Sequence, residues 1–201
     1  MAAVVKIFAR ASVRWLGCGP GLRQRIYFAN HTSHLDALVL WASLGPEARA
    51  LTRPVAARDY WTAGPARRYL AEKVFHAVMI DRQHISAHAH NPIEPLLAAL
   101  DDGRSSLILF PEGTRGKGPD AGPFKGGLFH LARHRPDIEL IPTFIENTDR
   151  ILPKGELLPV PQASGLSFGA PLHMKRGETK NDFLTRARAA VNGLRKVRAN
   201  A

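Results

Sequence analysis

Residues 25–46 read Arg25-Ile26-Tyr27-Phe28-Ala29-Asn30-His31-Thr32-Ser33-His34-Leu35-Asp36, then Ala37-Leu38-Val39-Leu40-Trp41-Ala42-Ser43-Leu44 and Gly45-Pro46. A short run of β-branched and aromatic residues gives way to a longer apolar stretch that a glycine and a proline end. The first part predicts a strand over 25–29. The second predicts a helix, capped by Ser33 and closed at Gly45-Pro46. The same alternation continues downstream. Strands are predicted over 74–80, 105–110, 138–145 and 166–168, with a bulge or sheet edge at Pro142. Helices are predicted over 93–100, 126–134 and 179–198. This order predicts an α/β fold: a single domain with a mixed, mostly parallel central sheet flanked by helices. The loops that follow the strands then gather at one sheet edge, where sites in such folds lie.

The bulk properties agree with one domain. The chain has 201 residues, of which 45% are hydrophobic and 22% charged, enough apolar material for a globular core. The formal net charge of +11 points to an anionic partner. Cys18 is the single cysteine, so no internal disulfide forms. No apolar run approaches the ~18–20 residues needed to span a bilayer. Before Asp36 there is no acidic residue, and Lys6, Arg10 and Arg14 fall on one helical face, with Val4, Phe8, Ala11 and Trp15 on another. This predicts an amphipathic helix over 3–16. The preferred reading is a membrane-surface element (residues 1–20) ahead of a catalytic domain (residues 21–201). A helix packed on the core and an organellar presequence are the competing readings.

Two segments carry chemistry. A histidine suits the task of general base toward an alcohol, and a carboxylate on its second ring nitrogen fixes the tautomer. His31 and Asp36 form such a pair if His31 precedes the helix and folds back over its first turn, where Asp36 projects. His34, two residues from Asp36, reads as a surface or supporting histidine. Phe110-Pro111-Glu112-Gly113-Thr114-Arg115 follows a buried strand. Gly113 permits a tight turn, and the Arg115 guanidinium suits a phosphate. Lys125, ahead of Gly126-Gly127, adds a second cation at a predicted helix start.

Together these segments resemble the glycerolipid acyltransferases, the family that includes lysophosphatidic acid acyltransferase. Four motifs of that family occur in order. They are His31 through Asp36, the strand ending at Asp81-Arg82, Phe110 through Arg115, and Leu140-Ile141-Pro142-Thr143. Where the second motif commonly opens with glycine, this chain has His76. The resemblance implies acyl transfer from acyl-CoA or acyl carrier protein to the free hydroxyl of 1-acyl-sn-glycerol 3-phosphate, or to another lysolipid or amino-lipid. His31 is then the base and Asp36 its orienting carboxylate. Arg82, Glu112, Gly113, Thr114, Arg115 and Lys125 are the substrate-binding set. No metal and no cofactor beyond the thioester co-substrate is implied. The long membrane-embedded hairpin of some members has no counterpart, which implies peripheral docking on an anionic membrane surface, at its cytoplasmic face.

Three rival readings are weaker. Gly165-Leu166-Ser167-Phe168-Gly169 fits a nucleophile-elbow pattern, but Ala170-Pro171 follows where a helix is required. His84, His88 and His90 include a metal-like spacing, without cysteines or supporting ligands. A non-catalytic binder of membranes or nucleic acid would explain the charge. Yet the sequence holds no zinc-finger or RNA-binding signature, and no nucleic-acid partner is expected.

Overall fold

The computed structural model of the protein describes residues 12–81, 93–116, 118, 120–147 and 164–199. Seven strands among them form one sheet: β1 (Ser12–Trp15), β2 (Arg25–Ala29), β3 (Thr52–Ala57), β4 (Val78–Ile80), β5 (Ser106–Leu109), β6 (Glu139–Glu146) and β7 (Gly165–Phe168). Their spatial order is β1-β7-β6-β2-β5-β3-β4. Every neighbouring pair is parallel except β6 with β7. The expected mixed, mostly parallel sheet is therefore what the chain forms.

The three central strands show why. Successive side chains of a strand point to opposite faces, and here both faces are buried. Ile26 and Phe28 of β2, Leu107 and Leu109 of β5, and Leu140 and Phe144 of β6 enter one apolar cluster. Tyr27, Ile108, Ile141 and Ile145 enter the other. A strand buried on both sides reads as a continuous apolar run, as in parallel sheets covered by helices. The first face is covered by α5 (Glu94–Leu100), α6 (Gly127–His134) and α7 (Lys180–Ala199), through residues such as Leu96, Leu128, Phe183 and Val191. The second is covered by α1 (Asp36–Ser43), through Val39 and Leu40. Beside it, α2 (Pro46–Ala50), α3 (Arg58–Trp61), α4 (Pro65–Tyr69) and a π-helical turn (Leu70–Val74) flank β3.

Several local expectations are corrected. Residues 12–15, assigned to a helix, form edge strand β1, whose register pairs Ser12 with Gly165 and Trp15 with Phe168. Trp15 stacks on Phe168 at 4.1 Å between ring centroids, so a period-2 pattern of Val13 and Trp15 prevails over the helical one. The rest of the proposed amphipathic helix, residues 3–11, lies outside the described residues. Strand β4 begins only at Val78, because 70–74 coil into the π turn. Pro142 is not at a sheet edge. It faces Phe28 in the interior of the sheet. Its carbonyl accepts a bond from the Gly169 N–H, and its nitrogen, with no N–H to give, faces the same side, where the pairing slips by one residue between Thr143–Phe168 and Leu140–Leu172, as the bulge alternative expected. Ser167 lies in β7 with 3% exposure, and a Cβ on Gly169 would stand 3.0 Å from Pro142 and 3.1 Å from Leu194. The Gly-x-Ser-x-Gly stretch is therefore a packed strand, not a nucleophile elbow.

Candidate active site

The loops leaving the carboxyl ends of β2 and β5 meet at one sheet edge, and two buried carboxylates organise them. Asp36 is the first residue of α1 and is fully buried. Its Oδ2 accepts bonds from the backbone N–H of Thr32 (2.7 Å) and of Ser33 (2.9 Å). The same oxygen lies 2.8 Å from His31 Nδ1. Residues 31–33 thus wrap around the carboxylate, and a five-residue separation becomes a direct contact. An ionised carboxylate only accepts, so Nδ1 carries the proton and the Nε2 lone pair is left for an incoming donor. Ser33 does not cap α1 as expected: its hydroxyl accepts from the Leu35 N–H, and no side chain caps the helix.

Glu112 performs the matching task on the second loop. One carboxylate oxygen accepts from the His31 backbone N–H at 2.8 Å and the other from the Gly122 N–H at 2.9 Å. The Gly116 N–H returns a bond to the His31 carbonyl at 2.8 Å. A Cβ on Gly122 would lie 2.8 Å from Glu112 Oε2, so the backbone approaches the carboxylate as only glycine allows. Asn30 ties the base of the loop to β6 by a reciprocal pair with the Ile145 N–H and carbonyl. The His31 ring stacks on Phe110 at 4.3 Å. His31 is therefore fixed through its backbone, its ring face and Nδ1.

A cavity of about 530 Å³ opens beside this histidine. His31, His34, Gly113, Thr114 and Arg115 give it polar groups, while Leu38, Val55, Trp61, Leu70, Phe75 and Ile80 give it apolar wall. That combination, mostly apolar with a few convergent polar groups, is what small-ligand sites share. His34 stacks on Tyr60 at 4.6 Å. Burial first, then the nearby Arg115 charge, pushes the His34 imidazolium toward its neutral form. Arg115 has no carboxylate partner among the described residues, so its guanidinium is available to an anion.

Of the residues singled out in the sequence, His31, Asp36, Glu112, Gly113, Thr114 and Arg115 come together here. Gly113 has a positive φ of 69°, and the Lys125 ammonium crosses it, 2.8 Å from where a Cβ would stand. Lys125 thus lies over the loop without lining the cavity, and Glu112 faces inward to backbone donors instead of toward the cavity. Arg82 and His84, His88 and His90 lie outside the described residues. Among the described residues no cluster of metal-ligating side chains occurs, and no helix is long and apolar enough to cross a membrane. The sequence did not reveal Tyr60, Trp61 or the wall from 54 to 71. The run Val55-Ala56-Ala57 was its only signal, and it is too short and too small in side chain to mark a strand.

Comparisons with known proteins agree with this geometry. The family model described as Acyltransferase matches residues 20–146. A 1-acyl-sn-glycerol-3-phosphate acyltransferase of Salmonella typhimurium is 30% identical over 129 residues, covering 61% of this chain and 47% of that protein. One from the plant Limnanthes douglasii is 31% identical over 144 residues, covering 69% and 47%. The chain spans about half the length of these relatives. The crystal structure of the 1-acyl-sn-glycerophosphate acyltransferase of Thermotoga maritima matches with a TM-score of 0.72 at 19% identity, covering 98% of this chain and 80% of that one. At that identity the match speaks for the fold.

Proposed function

This chain belongs to the acyltransferase family, and from that premise we propose that it moves a fatty acyl group from a thioester donor to the free hydroxyl of 1-acyl-sn-glycerol 3-phosphate. The observation that carries the proposal is the His31–Asp36 contact of 2.8 Å at the edge of a mainly apolar cavity. His31 Nε2 removes the hydroxyl proton as the oxygen attacks the thioester carbonyl, and Asp36 stabilises the imidazolium that results. The tetrahedral intermediate then collapses. The C–S bond breaks, and the departing thiolate takes the proton from His31, so the base is regenerated and no acyl-enzyme forms.

Arg115 holds the acceptor phosphate in this scheme, with Thr114 and Gly113 shaping the wall beside it. Arg82 and Lys125 remain proposed contributors to the same charge. Glu112 acts as a positioning residue, because its carboxylate holds the His31 backbone. The apolar wall accommodates an acyl chain. The donor is acyl-CoA or acyl carrier protein, and the protein works peripherally at an anionic, cytoplasmic membrane face. Other lysolipids and amino-lipids have the same reacting hydroxyl and are the alternative acceptors. An acceptor panel tests this: labelled acyl-CoA or acyl carrier protein is offered with lysophosphatidate, neutral lysophospholipids and an amino-lipid. Preferential labelling of lysophosphatidate is expected, lost on Arg115→Ala with a rise in KM. Equal labelling of neutral acceptors would contradict the phosphate assignment.

A further inference from the structure

The segment from Arg58 to Val74 has two unlike faces. Tyr60, Trp61, Leu70 and Ala71 line the cavity. Arg68, Tyr69 and Lys73 are exposed and do not line it, whereas Arg67, also exposed, lies against the cavity-lining Tyr60. Tyr69 is 62% exposed. Leu22 is the other large apolar side chain left open among the described residues, and it precedes β2, at the sheet end away from His31. Asp59 and Glu72 are the acids of the stretch, and Glu72 is engaged by Arg68 at 2.9 Å. The Arg67 guanidinium lies 4.6 Å over the Tyr60 ring. Neither Arg67 nor Lys73 has a carboxylate partner among the described residues.

We propose that the outer face of residues 64–74 is the surface on which the protein rests on an anionic lipid bilayer. Tyrosine places its apolar ring and polar hydroxyl at headgroup level, and each basic residue near an anionic leaflet strengthens binding about fivefold. Charge complementarity alone would also suit an acidic protein. An exposed aromatic at the centre of the cations favours the lipid surface. So does the next step of the chain: Leu70 and Ala71, which follow Tyr69 directly, already line the cavity. A lipid tail leaving a bilayer on this side crosses one layer of residues to reach it. The proposal takes from the acyltransferase reading only the premise that the cavity receives a lipid.

The test uses the full chain and phosphatidylcholine vesicles with and without phosphatidylglycerol. Co-sedimentation is compared for wild type, Arg68→Ala/Lys73→Ala and Tyr69→Ser, after equal Tm values establish that the variants fold. Amide hydrogen exchange locates the contact. The wild type is expected to bind only the anionic vesicles with appreciable affinity. The double variant should bind them ~25-fold more weakly, and protection should appear over 64–74. Unchanged binding by the variants, protection confined elsewhere, equal binding to neutral vesicles, or protection by acyl carrier protein instead of vesicles would overturn the proposal. Transfer to a short-chain, water-soluble lysophosphatidate, measured without vesicles, separates it from the activity. That rate should be unchanged in the double variant. A wild type that binds as described yet transfers to no acceptor would sink the acyltransferase reading and leave the docking surface standing.

Discussion

The two sides of the cavity are built on different physical terms. On one side, the loops after β2 and β5 are held by directional bonds from two buried carboxylates, Asp36 and Glu112, to backbone N–H groups. On the other, β3, α3 and the π turn make a mainly apolar wall, from Val55 and Ala56 to Trp61 and Leu70. Directional bonds fix atoms to within fractions of an ångström, which proton transfer demands. A packed wall fixes a volume, which is what a flexible chain demands. Substitutions on the first side should therefore act on rate, and those on the second on which substrate is preferred.

Asp36→Ala is the severest break of the first side. It strips the bound partner from His31 and leaves two backbone N–H groups facing a void. We expect kcat to fall by ~10³-fold or more, and urea unfolding to show a loss of about 3 kcal/mol. Glu112→Gln is gentler and separates positioning from chemistry. The amide turns an N–H₂ toward one of two backbone donors, so stability should drop by about 1–3 kcal/mol. In steady-state kinetics kcat should fall roughly tenfold with KM nearly unchanged. A change in KM alone would return Glu112 to the substrate-contacting set.

Val55→Phe, on β3, tests the second side. It narrows the cavity without touching the carboxylates, so competition between long and short acyl donors should shift about tenfold toward the short ones, at near-wild-type kcat for those. Loss of rate for all chain lengths would show that wall and base are not independent. The smallest effect concerns His76, whose φ of +46° lies in the region that favours glycine. The resemblance pointed to glycine at this position, and the backbone supplies the reason. His76→Gly should raise stability by about 0.5–1 kcal/mol in thermal or urea unfolding, with activity retained.

This division also explains what was legible in the sequence. The carboxylate-held loops are local: His31 and Asp36 are five residues apart and Phe110 through Arg115 are contiguous, so the pair could be posed as a condition on the chain folding back, which residues 31–33 meet by wrapping around Asp36. The central strands were legible because continuous apolar runs such as Leu107-Ile108-Leu109 encode burial on both faces. β1 was misread because Val13 and Trp15 fit a helical stripe as well as a strand, and only pairing with the distant Gly165–Phe168 decides between them. The wall was missed because Pro54, Ala56 and Ala57 carry little periodic signal and are made a strand by β5 and β4 on either side. Glu112 was seen, yet its direction was not: its partners, the N–H groups of His31 and Gly122, have no side-chain signature.

The central claim is that the Asp36-held imidazole of His31 performs acyl transfer. Its most direct test is the yield of labelled phosphatidate from labelled acyl-CoA and lysophosphatidate on lipid vesicles, for wild type beside His31→Ala of equal Tm. The account predicts product from the wild type and a loss of ~10²–10⁴-fold in the variant. A folded His31→Ala protein that keeps its rate would contradict it.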